Sequence, residues 1–198
     1  MLVEEGSAKA ALELLLPRIL GATTFNLHAH QGKPDLLGKL EARLTGYSGW
    51  VPESWRVLVL VDCDADTCSA LKARLEAAAS AAGLFTRSRR GRAGRFAVVT
   101  RIAIEELEAW YFGDWEAVRA AYPRVARTLP AKEGFRDPDS IAGGTCEALE
   151  RVLQRAGYFR TGLRKLEVAR AIAAHMVPDR NTSRSFQVFR AALAEMAA

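Results

Sequence analysis

The sequence predicts an α/β fold in which helices flank a mostly parallel, four-stranded sheet. Short runs rich in branched apolar residues alternate with helical stretches in the first half of the chain, which is typical of βαβ units. The run RVLVLV at residues 56–61 has the unbroken apolar character of a strand buried on both faces. Beyond residue 112 the pattern is helical. We therefore expect an α/β core at 1–112 and a C-terminal helical extension, packed on that core, at 113–198.

The limits of the predicted elements coincide with residues that begin or end helices. Ser7 is a candidate N-cap, Pro34 or Asp35 opens the second helix, and Gly21 and Gly83 end the first and third helices. Apolar, β-branched segments predict strands at residues 2–3, 23–28, 56–61 and 96–104. Helical periodicity predicts helices at residues 7–20, 35–44, from 64 or 66 to 82, 105–112, 114–121, 146–156, 163–175 and 183–197.

Length and composition exclude several classes of protein. With 198 residues, 49% of them hydrophobic, the chain can bury a sizeable core, which excludes a wholly disordered protein. No apolar run reaches the ~18–20 residues of a membrane helix and no secretory leader is visible, so we expect a cytoplasmic protein with no membrane partner. Cys63, Cys68 and Cys146 form neither an even set nor a CxxC pair. We therefore expect neither a disulfide framework nor a zinc knuckle, which fits a reducing compartment.

Basic residues are concentrated in one segment. The chain has 28 Lys and Arg against 23 Asp and Glu, an excess that indicates a polyanionic partner or simply an arginine-rich genome. Nine residues without an acid contain Arg87, Arg89, Arg90, Arg92 and Arg95. Such a segment either neutralises the phosphates of a nucleic acid or is a mobile surface loop.

Acidic clusters follow three of the predicted strands. The clusters are Glu4-Glu5, then Asp62, Asp64 and Asp66, and then Glu105, Glu106 and Glu108. Because the carboxyl ends of parallel strands share one edge of a sheet, these acids can converge in a single crevice. Crowded carboxylates repel unless a cation neutralises them, and Mg²⁺ prefers such oxygen ligands. The pattern therefore predicts a site for Mg²⁺ or Mn²⁺.

Spacing within the clusters separates candidate ligands from capping residues. Asp62 and Asp64 lie two apart on an extended chain, so both side chains can reach one ion, whereas Asp66 is either a ligand or a helix cap. Glu105, Glu106 and Glu108 either form a second metal locus or only favour the start of a helix through its dipole. Lys33 is a candidate phosphate contact or transition-state cation, with a solvated loop lysine as the alternative.

The acidic pattern resembles that of the Toprim domain of topoisomerases, primases and OLD-type nucleases. In that family a glutamate follows the first strand and an acidic pair follows the third. These positions match Glu4 or Glu5 and then Asp62 and Asp64. The usual Glu-Gly is Glu4-Glu5-Gly6 here, and the preceding hydrophobic residues favour Glu4.

A closer resemblance extends over nearly the whole chain. Its motifs are VEEGSAKAALELLLPRIL, HQGKPDLL, VDCDADTC, RIAIEELEAWYFGD, FRDPDSI and NTSRSFQVF. Together they resemble a Toprim-like bacterial family, domain of unknown function four-two-seven-six. This resemblance favours Glu106 and Glu108 as further site residues. It implies a Mg²⁺-dependent nuclease that works beside an ABC-type ATPase in phage defence or repair.

The leading functional expectation is hydrolysis of phosphodiester bonds in nucleic acid. Glu4 is expected to be a ligand or general base, with Asp62 and Asp64 as metal ligands. One alternative is a phosphohydrolase that acts on a small molecule at the same metal site. Another is a catalytically silent interaction subunit. The sequence also leaves open whether the chain forms a homo-oligomer.

Overall fold

The computed structural model describes residues 1–64 and 66–197 of the chain. It confirms the predicted α/β class, with a four-stranded, all-parallel sheet in the order β2-β1-β3-β4. The strands are β1 (Leu2–Val3), β2 (His28–Ala29), β3 (Val57–Asp62) and β4 (Val98–Ala103). In register, Leu2 of β1 lies opposite His28 on one side and Val59 on the other.

Eight α-helices and three short 3-10 helices occur within the described residues. The α-helices are α1 (Gly6–Leu20), α2 (Lys33–Ser48), α3 (Cys68–Ala81), α4 (Ala109–Gly113), α5 (Trp115–Ala121), α6 (Thr145–Arg155), α7 (Lys165–Ala173) and α8 (Arg184–Ala197). The 3-10 helices are Arg92–Gly94, Leu129–Ala131 and Pro138–Ser140. None of the helices in this part of the chain combines the length and apolarity that a membrane crossing requires.

The chain forms two compact units. The first comprises Met1–Gly6 and Phe25–Ile102, and the second comprises Ser7–Thr24 and Ala103–Ala198. Helix α1 therefore clusters with the helices of the C-terminal half. The division expected at residue 112 stays a prediction.

Alternate residues of the sheet and two helices form the core of the first unit. Each member exposes less than a tenth of its surface, and the members are Leu2, Leu36, Leu40, Leu44, Val57, Val59, Val61, Leu71, Leu75, Ala79, Ala82 and Val98. The leucines of α2 recur every four residues, which places them on one face of that helix. This packing holds the start of α2 and the end of β3 in defined positions, and both carry candidate site residues.

Aromatic packing and buried hydrogen bonds organise the second unit. Trp110 lies against Phe186 and Phe189, with ring centroids 5.2 and 4.8 Å away, and its indole nitrogen donates to Ser185. The carboxylate of Asp139 accepts from the Ser185 amide at 3.0 Å and from the hydroxyls of Ser183 and Ser185. Two of the family-like segments, FRDPDSI and NTSRSFQVF, thus hydrogen-bond to each other and stabilise the fold.

Several predicted limits are corrected by the structure. The second strand is confined to His28–Ala29 rather than 23–28, because its hydrogen-bonded partner β1 is only two residues long. Helix α2 continues to Ser48, where Tyr47 still packs on the core. Helix α4 begins at Ala109 and not at 105, so the acids that precede it lie in an irregular turn.

Candidate functional site

The ends of β1 and β3 bring two of the candidate acids together. Glu4 directly follows β1, and Asp62 is the last residue of β3, the strand paired with β1. The backbone N–H of Asp62 donates to the Glu4 carboxylate at 3.0 Å. This bond joins the Glu4 side chain to the backbone of Asp62, and the convergence of the carboxylates on one ion stays a prediction.

The environment of Glu4 raises its pKa. Burial raises the pKa of Glu4 above its usual value, and the negative charges of Asp64 and Glu5 raise it further. The Asp62 N–H bond and the Lys33 charge act in the opposite direction and are outweighed. Glu4 is thus a carboxylate whose ionisation a nearby cation would stabilise.

Lys33 lies among the acids that follow β3. Its ammonium nitrogen is 2.6 Å from an oxygen of Asp64, 2.8 Å from one of Asp66 and 3.1 Å from the Cys63 carbonyl oxygen. The Lys33 side chain is only 11% exposed, whereas Asp64 and Asp66 are 46% and 52% exposed. Burial alone would lower the pKa of Lys33, but the two carboxylates outweigh burial and raise it. The ammonium is therefore a permanent positive charge in the acidic cluster.

The turn between β2 and α2 determines where Lys33 is held. Gly32 has a φ of 90°, a conformation that suits glycine, and its N–H donates to the Glu4 carbonyl at 3.0 Å. Lys33 follows as the first residue of α2. The backbone bond that Gly32 donates to Glu4 thus anchors the residue before Lys33.

A disulfide closes the loop that carries Asp64 and Asp66. Cys63 and Cys68 are bonded, so the expectation of no disulfide is wrong for this pair; Cys146 is free and buried. Burial raises the pKa of the Cys146 thiol to about 12, so it is protonated and unreactive at neutral pH. The interpretation of Asp66 as a helix cap is also corrected, because Thr67 occupies the N-cap of α3 and Asp66 pairs with Lys33.

The donor set is chemically suited to a hard divalent cation. Among residues 1–64 and 66–197, no three His, Cys, Asp or Glu side chains are grouped closely enough to hold a metal by themselves. Mg²⁺, however, is usually held by one or two carboxylates, with water and substrate phosphate completing its shell. The described acids that could contribute to such a shell are Glu4, Asp62 and Asp64, and their binding of Mg²⁺ or Mn²⁺ stays a prediction.

The second acidic segment has a different environment. An oxygen of Glu106 accepts from the Cys146 amide at 2.7 Å and from the Thr145 hydroxyl at 2.9 Å, both at the start of α6. Glu108 is buried at the N-cap position of α4. Helix N-termini attract negative charge, so these contacts give Glu106 a structural partner. The role of Glu106 and Glu108 in binding a metal stays a prediction.

Four of the five candidate arginines are exposed to solvent. Arg89, Arg90, Arg92 and Arg95 lie on the surface, whereas Arg87 is half-buried. Arg95 makes an ion pair with Glu53 that is itself exposed. The arginine segment (residues 87–95) therefore presents positive charge on the first unit.

A buried hydrogen-bond network that the sequence did not reveal anchors this segment. The carboxylate of Glu76 accepts from the hydroxyls of Thr86 and Thr100 and pairs with Lys72. The Thr86 hydroxyl in turn accepts from the Arg89 amide at 3.1 Å. A glutamate in the middle of a helix gives no sequence signal of such a role.

The sequence matches the family model "Domain of unknown function (DUF4276)" over residues 3–194. The chain belongs to this family. The DUF4276 match includes every candidate acid, Lys33 and the arginine segment. Comparisons with curated proteins and with solved structures give no match.

Proposed function

We propose that this protein is a metal-dependent nuclease of Toprim type that hydrolyses phosphodiester bonds in nucleic acid. The observation that carries the proposal is the meeting of Glu4, the end of β3 and the Lys33–Asp64 pair at the carboxyl edge of a parallel sheet. Ligands bind at this edge in open α/β sheets. The Toprim-like order of a glutamate after one strand and an acidic pair after its neighbour supports the same conclusion.

Asp62 and Asp64 would hold a Mg²⁺ or Mn²⁺ ion, with Glu4 either as a further ligand or as the general base. When bound, such an ion lowers the pKa of a water and stabilises charge on the phosphate under attack. Glu4 has a raised pKa, which moves this carboxyl towards the range where a general base is effective near neutral pH. Lys33 is protonated and directs its ammonium group towards the same cluster, where it is suited to contact a phosphate oxygen.

The openness of the acidic cluster favours a polymer over a small molecule. About half of the surface of Asp64 and of Asp66 is accessible to solvent. Small-molecule sites usually enclose most of their ligand, whereas a backbone phosphate must be reached from outside. The exposed arginine segment of the same unit adds positive charge for a nucleic acid backbone. An ABC-type ATPase partner and a role in phage defence or repair belong to this proposal through the family resemblance alone.

A cleavage assay tests the proposal. Supercoiled plasmid and single-stranded DNA are incubated with the protein in Mg²⁺, in Mn²⁺ and in EDTA. We expect cleavage only with a metal, and we expect Glu4→Gln to reduce it by about 10²–10⁴-fold, as for loss of a general base. Glu41→Gln, which changes an exposed acid of α2, is the matched control and should cleave at the wild-type rate.

The outcomes separate nuclease activity from its alternatives. Cleavage in EDTA, or equal rates for Glu4→Gln and Glu41→Gln, would contradict the proposal. Phosphate release from a nucleoside phosphate without DNA cleavage would favour the small-molecule phosphohydrolase. Inactivity on every substrate would favour the interaction subunit.

A further inference from the structure

A cleft beside the arginine segment combines an aromatic ring with two guanidinium groups. Its volume is about 620 Å³, and Ser80, Gly83, Leu84, Phe85, Arg89 and Arg90 line it. None of these residues is acidic. The volume lies within the range of ~300–1,000 Å³ that is usual for ligand sites.

Phe85 gives the cleft an exposed aromatic surface. The residue is 56% exposed, whereas aromatic side chains are normally buried for most of their area. Its backbone is held firmly, since the Phe85 carbonyl accepts from the amides of Ala97 and Val98 at 2.8 and 3.1 Å. The ring also lies directly over Gly91, where an added Cβ would be 2.6 Å from a ring carbon. Phe85 is therefore a supported ring that is open to solvent.

Arg89 and Arg90 line the same cleft as this ring and bring positive charge to it. The Arg89 amide is bonded to Thr86, and its guanidinium reaches the Ser80 hydroxyl at 3.5 Å. The guanidinium carbon of Arg90 lies 5.0 Å from the centroid of Phe96. Both side chains remain exposed. An aromatic surface with adjacent guanidinium groups matches the two halves of a nucleotide, a flat base and a charged phosphate.

We propose that this cleft binds one unpaired nucleotide of a single-stranded nucleic acid. The base stacks on Phe85, and the adjoining phosphate contacts Arg89 and Arg90. Stacking a base on a protein aromatic ring is worth about 1–3 kcal/mol and tolerates any base, because every base has a π face. A duplex keeps its bases stacked on each other and cannot use the ring. The inference deepens the proposed nuclease function, because it specifies an unpaired strand as the substrate.

Binding is measured by fluorescence anisotropy in EDTA, so that no cleavage is required. The probes are a labelled twelve-residue oligothymidylate, an abasic strand of equal length and charge, and a duplex of the same length. We expect wild type to bind the thymidylate strand more tightly than the abasic strand and the duplex. Phe85→Leu should weaken thymidylate binding by roughly 5- to 150-fold and leave abasic binding unchanged, whereas Phe85→Trp should retain it.

The arginines have a separate signature. Replacing Arg89 and Arg90 with Ala should weaken the binding of the thymidylate strand and of the abasic strand by the same factor. It should also reduce the slope of log K against log salt by about 0.7 for each lost phosphate contact. Arg74→Ala, which removes an exposed arginine of α3 outside both the cleft lining and the arginine segment, is the control and should leave the affinity and the salt slope unchanged.

Several results would overturn the cleft as a nucleotide site. They are equal binding of the thymidylate and abasic strands by wild type, no effect of Phe85→Leu, or duplex binding as tight as single-strand binding. Displacement of the strand by an equal concentration of thymidine monophosphate would make it a site for free nucleotides instead. Binding is measured in EDTA and cleavage is measured separately with Mg²⁺, so the two proposals can fail independently. Phe85-dependent binding without metal-dependent cleavage would contradict only the nuclease. Cleavage without an effect of Phe85→Leu on binding would contradict only the cleft.

Discussion

The two acidic segments of this protein are neutralised in different ways. Asp64 and Asp66, beyond β3, pair with the ammonium of Lys33 and are about half exposed. Glu106, before α4, is bonded to a backbone amide and a hydroxyl at the start of α6. The negative charge of the first segment is thus compensated by a cation, and that of the second by hydrogen-bond donors fixed in the fold.

This difference separates a site for chemistry from a structural support. An exposed carboxylate that pairs with an ammonium contributes at most about 1 kcal/mol to stability, so it can exchange that partner for a metal or a phosphate-bound cation at little cost. A carboxylate bonded to a helix N-terminus holds two segments of chain together, and the protein loses stability if these bonds are broken. Under the proposed function, we therefore expect metal binding in the first segment and a folding role for the second.

Among the tests of this comparison, the largest effect is expected from removing the Lys33 ammonium, which pairs with the first segment. Lys33→Met keeps the buried stem but leaves Asp64 and Asp66 without their ion pair. Cleavage should fall by about 10²-fold, as for loss of a charge-stabilising group, while Mg²⁺ binding becomes tighter because its competitor is gone. Rates and calorimetric Mg²⁺ titrations measure the two effects. Lys39→Met, an exposed lysine of the same helix, is the control, and equal behaviour of the two variants would refute the role of Lys33.

A moderate effect on stability is expected in the second segment. Glu106→Gln retains an oxygen acceptor but loses the charge that faces the start of α6. The free energy of unfolding should fall by about 1 kcal/mol, as measured by urea denaturation, with no change in Mg²⁺ affinity. Glu133→Gln, an exposed acid of the same unit, should leave both quantities unchanged. Loss of Mg²⁺ affinity in Glu106→Gln would place a metal ligand in the second segment.

Glu76 is a structural carboxylate whose contribution to stability is expected to depend on pH. Burial alone would raise its pKa, but hydrogen bonds from Thr100, Thr86 and Lys72 outweigh burial and hold the pKa below its usual value of 4.5. A lowered folded-state pKa stabilises the protein above the unfolded-state pKa, and this contribution is lost as pH falls through the folded-state pKa.

Glu76→Gln should therefore be less stable than wild type by about 1 kcal/mol at pH 7, and the difference should vanish in acid. Urea denaturation at a series of pH values from 7 downwards measures it. Glu41→Gln should track wild type at every pH, because Glu41 is exposed. A difference that does not change with pH would show that the Glu76 charge does not matter.

Local patterns in the sequence were sufficient to predict the strongest elements of the fold. The aliphatic run at 56–61 predicted β3 to within one residue at each end, because burial on both faces requires such a run. The length of the short strand β2 was overestimated, since it depends on β1, whose paired residues lie 26 positions away in the chain. The limits of β3 were predicted well because burial alone determines them. The limits of β2 were predicted wrongly because a distant strand determines them.

The same distinction applies to the candidate site. The positions of Glu4 and Asp62 at strand ends followed from the sequence, and a hydrogen bond joins them. The pairing of Lys33 with Asp64 links residues 31 positions apart and arises from the sheet order β2-β1-β3, which no local pattern contains. Phe85 was missed as well, because the exposure of one phenylalanine depends on the neighbouring loop and leaves no periodic signal.

The assignment of the metal to the first segment is tested most directly by thermal unfolding with and without Mg²⁺. Asp64→Asn is suited to this test because Asp64 has a φ of 48°, which asparagine also tolerates. Without metal, the variant should lie within about 1 kcal/mol of wild type, since Asp64 is half exposed and Lys33 keeps its ion pair with Asp66 at 2.8 Å. Mg²⁺ at 100 times its Kd should stabilise wild type and Glu106→Gln by about 2.7 kcal/mol and leave Asp64→Asn nearly unchanged. An equal Mg²⁺-induced rise in Tm for wild type and Asp64→Asn, or no rise in wild type, would contradict the account.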